Sequence, residues 1–385
     1  MSGRSARRPA RRTPAADPAR EATRAAVVRA LQPRTGDADE GVRGAVASVL
    51  GEVGGRDAVA ALAPLLSDRS DRVRRAAVLA LGRAASGTAA ERARIRRFLD
   101  DPAPRVRAAA AVVLGRRRDR ASVPALLARL DAPGTWEKPS VAVALGRIGD
   151  RRAVDPLVAL AASPARWLRV CAIHALGEIG AAEGRATARA ALADPAWSVR
   201  GAAAVALGSL GTAHDAPRLL ELADDPHPWP RRGALYALGA LRRREASGRI
   251  LAALDDPAVE VQVAACWALG ALGDPTARRP IARLLSRAPA PGSVDAPPAA
   301  LAPDALPAAE PDGRLFETAV AALARLSAGG PDEEVARALD AAEHRLAPGA
   351  LERGSRPAFG EPPTPLPTLR DLLAAARAPG GGGRP

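Results

Sequence analysis

The chain has 385 residues, a formal net charge of +14 and only 2% aromatic residues, and Lys138 is its one lysine. Alanine, leucine and valine supply most of its apolar side chains, which disfavours a large β-sandwich and suits closely packed helices. No run of about 18 apolar residues is present, so no membrane span is expected. The arginines near Met1 have no apolar stretch after them. We therefore expect no secretion signal and predict a soluble cytoplasmic protein.

Positive charge is concentrated in the N-terminal third, where residues 1–120 contain 26 arginines and 13 acidic residues. Residues 1–19 are predicted to be a basic disordered arm. This distribution attracts phosphate backbones or acidic proteins, so one interpretation is anion or nucleic-acid binding. The alternative is a solvated face in an arginine-rich chain. The candidate anion-binding residues are Arg74, Arg75, Arg107, Arg116, Arg117 and Arg118.

A ten-residue phrase that ends in Leu-Gly occurs eight times, for example VRGAVASVLG and VQVAACWALG. A degenerate ninth copy, LFETAVAALA, ends at Ala324. Self-similarity at a fixed period is typical of stacked repeats. The closing glycines, most of them 31 residues apart, are Gly51, Gly82, Gly115, Gly146, Gly177, Gly208, Gly239 and Gly270.

Each phrase has the pattern of an amphipathic helix. If its first residue is position 0, then positions 0, 3, 4, 7 and 8 are mostly apolar or small, which is a helical stripe. An aspartate lies five residues before position 0 in five copies, usually followed by proline, as in Asp194-Pro195. This pair predicts a turn and a helix start. The repeat is therefore predicted to be helix A, a turn, helix B, and a second turn at the glycine.

The Asp-Pro turn, the Val-Arg that follows it and the AA..ALG pattern resemble HEAT repeats, most closely the short type named for phycobilisome lyases. The resemblance covers roughly residues 21–346. It implies an all-α fold, an α-solenoid (armadillo/HEAT-like superhelix) of eight to nine two-helix repeats, and it implies little about function. We expect the solenoid over residues 20–346, a Pro/Ala-rich insertion at 288–314, and a Pro/Gly-rich tail at 347–385 with a short helix near 368–378.

Positions 2, 5 and 6 of helix B are predicted to point away from the core, and B helices line the concave face of HEAT-like stacks. From the fifth copy on, these positions are mostly apolar or aromatic, which indicates a partner-binding strip. The alternative is that strong superhelical curvature buries them against each other. The candidate residues are Val170, Ile173, His174, Val205, Arg232, Leu235, Tyr236, Val263 and Trp267.

An indole stands at the start of helix B in four successive repeats, each followed by a cation. Tryptophan and arginine dominate binding hot spots, so these residues are also candidates for partner binding. The alternative is that the indoles cover the seam between repeats and the arginines satisfy carboxylates of neighbouring turns. The residues are Trp136, Trp167, Trp197, Trp229, Arg169, Arg200 and Arg231.

No catalytic residue, metal site or cofactor is predicted. Deoxyhypusine hydroxylase, which has a similar architecture, holds two irons through His-Glu pairs, and no His-Glu dipeptide occurs here. His174 and Glu178 are four residues apart, but Gly177 is expected to end the helix between them. The sequence predicts a non-catalytic scaffold whose apolar strip binds a protein segment or its own residues 368–378. Nucleic-acid binding and a lyase-like or oxidoreductase accessory role are the alternatives.

Overall fold

The computed structural model describes residues 18–84, 86–132, 134, 136–288, 311–326, 332–344, 371 and 373–375. The predicted arm at 1–19 lies almost wholly outside these residues, as do most of the insertion at 288–314 and of the tail at 347–385. All regular elements in the described part of the chain are helices, which confirms the all-α fold. None of these helices is long and apolar enough to cross a membrane.

The chain divides into two compact units, Met1–Ala144 and Leu145–Pro385. The first contains α1 (Pro18–Leu31), α2 (Glu40–Val53), α3 (Gly55–Ala61), α4 (Asp71–Ala84), α5 (Ala89–Arg96), α6 (Pro104–Arg116), α7 (Val123–Asp131) and most of α8 (Lys138–Ile148). The second contains α9 (Val154–Leu160), α10 (Arg166–Ile179), α11 (Arg185–Ala191), α12 (Trp197–Leu210), α13 (Ala216–Leu222), α14 (Pro228–Ala240), α15 (Ser247–Ala252), α16 (Val259–Leu272), α17 (Arg278–Arg287), α18 (Pro311–Arg325) and α19 (Glu333–His344).

Within each unit the helices alternate between helix A and helix B, as the repeat predicts. The B helices α2, α4 and α6 pack on one another in the first unit, and α10, α12, α14, α16 and α18 do so in the second. Short A helices pack against their own B helices, for example α11 on α12 and α13 on α14. The leading A helix expected at 20–31 is α1.

The glycine that closes each phrase lies inside helix B, so the prediction that it ends the helix is wrong. α10 continues past Gly177 to Ile179, and α12 continues past Gly208. A Cβ atom on Gly177 would lie 2.9 Å from the Cα of Ala206 on the next B helix. The glycine is therefore needed because consecutive B helices approach too closely there for a side chain.

The aspartate before helix B forms the predicted turn. One carboxylate oxygen of Asp194 accepts a hydrogen bond from the backbone N–H of Ala196 at 2.9 Å, and α12 begins at the next residue. Asp225 accepts from the backbone N–H of His227 at the same distance, just before α14. The turn fixes where helix B starts, and it leaves the other lone pairs of the carboxylate for a second partner.

Candidate interaction surface

An arginine at position 1 of helix B binds the turn carboxylate of the following repeat. Arg200 donates from Nε and Nη2 to the two carboxylate oxygens of Asp225 at 2.7 and 3.0 Å. Its Nη1 donates to the backbone carbonyls of Asp194 and Pro195 at 2.9 and 3.1 Å. The same fork joins Arg169 to Asp194 and Arg231 to Asp256 in the second unit, and Arg43 to Asp68, Arg74 to Asp101 and Arg107 to Glu137 in the first. We call this set of ion pairs the arginine ladder.

The ladder keeps its carboxylates ionised. Burial raises the pKa of Asp225, but the hydrogen bonds from Arg200 and from the backbone of His227 outweigh it and hold that pKa below its usual value. Asp194 and Asp256 are held below their usual pKa in the same way. The structure thus supports the structural alternative for Arg169, Arg200 and Arg231, because these guanidinium groups satisfy carboxylates of neighbouring turns.

The six N-terminal arginines proposed to bind anions fall into two groups, those that bind groups within the chain and those that are exposed. Arg74 and Arg107 belong to the arginine ladder, and Arg117 donates to the carbonyl of Gly82 at 2.9 Å. The other three are exposed, namely Arg75, Arg116 and Arg118. Three of the six candidate arginines therefore bind groups within the chain, and anion binding by the other three stays a prediction.

Part of the predicted apolar strip faces the core. Ile173 and Leu235, both at position 5, are 1% exposed, and Val263 at position 2 is also buried. The prediction that these three side chains point away from the core is wrong. Each B helix packs against the B helices before and after it and against its own A helix, so its buried arc is wider than one stripe.

The remaining members of the strip are partly exposed. They are Val170 and Arg232 at position 2, and His174, Val205, Tyr236 and Trp267 at position 6. Position 6 thus forms the outer edge of the B helices in the second unit. In three consecutive copies this position is occupied by a branched or aromatic side chain, namely Val205 on α12, Tyr236 on α14 and Trp267 on α16.

Aromatic rings pair with one another both at the start of helix B and on this outer edge. Trp197 stacks on the imidazole of His227 with ring centroids 3.8 Å apart and planes 7° apart. Trp197 also meets Trp229 edge to face at 6.5 Å. Tyr236 packs against Trp267 at 5.0 Å. The separations of the Trp197–Trp229 and Tyr236–Trp267 pairs are those of favourable aromatic pairs.

Arg232 joins the two groups of rings. Its guanidinium carbon lies 4.9 Å from the ring centre of Trp229 and 5.6 Å from that of Tyr236, within cation–π range of both. The two predicted features, the indoles and the strip, therefore form one feature. We call it the aromatic surface, and it consists of Trp197, His227, Trp229, Arg232, Tyr236 and Trp267.

The sequence explains how Trp229 fits into this surface. A Cβ atom on Gly201 would lie 1.8 Å from Cδ1 of Trp229, so the indole occupies the space that any side chain at Gly201 would need. Trp229, Arg232 and Tyr236 share one face of α14 because they are spaced i, i+3 and i+7. That spacing was readable from the sequence, but the link it makes between the indoles and the strip was not predicted.

His227 is a member of the aromatic surface that sequence reasoning missed. Its Nδ1 accepts a hydrogen bond from the backbone N–H of Trp229 at 3.2 Å and so caps the start of α14. Burial lowers the pKa of His227, and the nearby Arg200 and Arg231 lower it further, against the opposing charge of Asp225. The lowered pKa favours the neutral imidazole, which the cap requires because a protonated Nδ1 could not accept the hydrogen bond.

The indoles differ in exposure. Trp197 is 40% exposed, Trp167 is 51% exposed, and Trp136, in the first unit, is 60% exposed. The indole N–H of Trp267 is buried and has no hydrogen-bond partner among the described residues.

The described residues contain no group of three or more His, Cys, Asp or Glu side chains that could hold a metal ion. His174 and Glu178 lie on the same helix, since α10 runs through Gly177, and burial lowers the pKa of His174. Burial raises the pKa of Cys171 to about 11 and that of Cys266 to about 12, so both thiols stay protonated at neutral pH.

The family model for HEAT repeats matches residues 28–97, 92–170, 159–239 and 216–293, which is more than half of the chain. The chain belongs to the HEAT-repeat family. The resemblance predicted from the Asp-Pro turn and the Leu-Gly phrase is confirmed, and so is the fold class of an α-solenoid. No curated protein matches the HEAT-repeat chain.

Solved structures of other helical repeat proteins are similar to it. The CpcE–CpcF complex of phycocyanin lyase from Nostoc sp. PCC7120 is 19% identical with a TM-score of 0.45, over 66% of this chain and 94% of that one. Human deoxyhypusine hydroxylase in complex with glycerol is 20% identical with a TM-score of 0.32, over 66% and 99%. Kap95p bound to RanGDP is 13% identical with a TM-score of 0.48, over 91% and 51%. At these values the similarities carry no argument about function.

Proposed function

We propose that this HEAT-repeat protein is a non-catalytic scaffold that binds an apolar segment of another protein on its aromatic surface. The observation that carries the proposal is a continuous series of side-chain contacts. His227 stacks on Trp197, and Trp197 meets Trp229. Arg232 lies over both Trp229 and Tyr236, and Tyr236 packs against Trp267. The series spans α12, α14 and α16, three consecutive B helices of one unit.

The composition of the surface supports binding. Tryptophan, tyrosine and arginine are the residues that contribute most to binding energy at protein interfaces, and here they form one cluster. Each ring is held by a neighbouring ring or by Arg232, so little side-chain freedom is left to lose when a partner binds. Trp197 keeps 40% of its surface exposed in spite of its stacking on His227, so it has apolar area left to bury.

The proposal is tested with peptides selected from a displayed library against the full chain, followed by calorimetry. Trp197→Ala and Tyr236→Ala should each weaken the selected peptides at least tenfold, which corresponds to about 1.4 kcal/mol. Circular dichroism checks that both variants remain helical.

Trp136→Ala is the matched control, because it removes a more exposed indole, which also lies near the start of a helix B, from the other unit. It should leave the affinity unchanged. Selected peptides that bind Trp197→Ala and Tyr236→Ala as tightly as the unchanged protein would exclude the aromatic surface as the binding site.

A further inference from the structure

His227 connects the start of α14 to the aromatic surface. Its Nδ1 accepts the backbone N–H of Trp229 at 3.2 Å, and its ring stacks on the indole of Trp197 at 3.8 Å. Trp229 in turn meets Trp197 at 6.5 Å and has the guanidinium carbon of Arg232 4.9 Å from its ring centre. One imidazole thus contacts the ring of one indole and the backbone of the other.

This histidine cap is not part of the repeat. The turn carboxylate alone places the start of the neighbouring B helices, since Asp194 and Asp256 each accept a backbone N–H two residues further on at 2.9 Å. Asp225 does the same for α14, so the cap by His227 is additional to the turn. The neighbouring helices α10, α12 and α16 have an alanine N-cap that makes no side-chain hydrogen bond, namely Ala165, Ala196 and Ala258.

Protonation is incompatible with the position of this imidazole. A protonated Nδ1 is a donor, so it would face the N–H of Trp229 at a distance that only a donor and an acceptor tolerate. A positive charge at the N-terminus of α14 is also unfavourable because of the helix dipole. The protonated ring must therefore turn away from the start of α14, and it cannot do so and stay parallel to Trp197 in its present position.

Charged groups from three helices and from the turn surround His227. Burial is the main factor that lowers its pKa from 6.5, and Arg200 on α12 and Arg231 on α14 lower it further. Asp225 in the turn and Glu260 on α16 oppose them. The pKa of Asp225 is itself held below its usual value, so this carboxylate stays ionised where the histidine titrates. The cap therefore contributes fully above pH 6.5 and is lost as the pH falls through the lower folded value.

We infer that acid weakens partner binding at the aromatic surface through His227, because protonation releases the cap of α14 and moves Trp197 and Trp229 out of their paired positions. The effect on a partner rests on the proposed function of this surface. The movement of the two indoles does not depend on any partner, so it is measured separately.

Nuclear magnetic resonance of the full chain between pH 7.5 and pH 5 tests the movement. The backbone N–H signal of Trp229 and the indole N–H signal of Trp197 should shift together with the ring signals of His227, with one midpoint below pH 6.5. In His227→Asn both tryptophan signals should stay constant, because asparagine caps a helix without titrating in this range. His214→Asn removes an exposed histidine of the same unit and should leave the shifts as they are in the unchanged protein.

Calorimetry tests the effect on binding. The probes are peptides selected at pH 7.5 that lack histidine, aspartate and glutamate, so only the protein titrates. From pH 7.5 to pH 5 their affinity should fall about five- to tenfold for the unchanged protein and for His214→Asn, the size expected for a lost helix cap. The affinity of His227→Asn, whatever its value at pH 7.5, should be the same at both pH values.

The outcomes separate this inference from the proposed function. Tryptophan signals that stay constant while His227 titrates would overturn the inference, and so would a loss of affinity in acid that persists in His227→Asn. Peptides that bind the unchanged protein equally at both pH values would overturn it as well and would leave the proposed function intact. Peptide binding that is insensitive to Trp197→Ala and Tyr236→Ala would contradict the proposed function, and the tryptophan signals would still decide whether the histidine moves the two indoles.

Discussion

Gly208 and Gly239 occupy position 9 of consecutive copies, yet they meet different neighbours. A Cβ atom on Gly239 would lie 2.7 Å from the Cα of Ala268, closer than real side chains come. On Gly208 it would lie 3.5 Å from the Cα of Ala237, an ordinary contact. The spacing of α14 and α16 thus depends on the glycine, whereas that of α12 and α14 does not.

We therefore expect opposite effects from the same substitution. Gly239→Ala should lower the free energy of unfolding by about 1–2 kcal/mol, because the overlap exceeds the gain in helix propensity. Gly208→Ala, the matched control, should raise it by up to about 1 kcal/mol. Urea unfolding of both variants measures the difference. Equal destabilisation by the two alanines would show that close helix approach is not the reason for these glycines.

Sequence reasoning succeeded where a residue type has one strong local meaning. The Leu-Gly phrase and the Asp-Pro turn predicted the helix pairs, because helical spacing and turn chemistry are properties of short segments. It failed for Ile173 and Leu235, because their burial depends on how much of a B helix is covered by the helices packed on its two sides. It also treated Gly177 as a helix end, because a close approach to another helix cannot be read from one helix alone.

At the scale of elements, the arginine ladder ties each B helix to the turn of the next repeat. Arg200 and Asp225 are mostly buried and share two hydrogen bonds, whereas the side chains of Arg151 and Glu183 remain 74% and 60% exposed. Removing one partner of a buried pair leaves an uncompensated charge, but removing one partner of an exposed pair changes little. The two pairs lie in the same unit and provide a direct comparison.

Arg200→Met should therefore lower the free energy of unfolding by about 2–3 kcal/mol at pH 7, and Arg151→Met by less than about 0.5 kcal/mol. The pKa of Asp225 is lowered from 3.8 in the folded chain, so its pair stabilises the fold above that pH and ceases to do so as the pH falls through the folded value. The deficit of Arg200→Met should accordingly shrink in acid. Thermal melts from pH 7 to pH 3 test this, and a deficit independent of pH would contradict the ion-pair account.

At the scale of the whole molecule, the stability of a repeat stack is close to a sum of repeat terms and nearest-neighbour interfaces. Helix α4 has a B helix packed on each side, α2 and α6, whereas α2 has one on a single side and an apolar stripe on the other. The first repeat is therefore expected to open more readily than the repeats after it.

Hydrogen exchange in dilute solutions of the full chain tests this expectation. In dilute protein the backbone amides of α1 and α2 should exchange faster than those of α4. Amides of α14 serve as the internal reference. Protection of α1 and α2 equal to that of α4 would mean that the first repeat is stable without a second B-helix neighbour, which would contradict a stability built from nearest-neighbour interfaces.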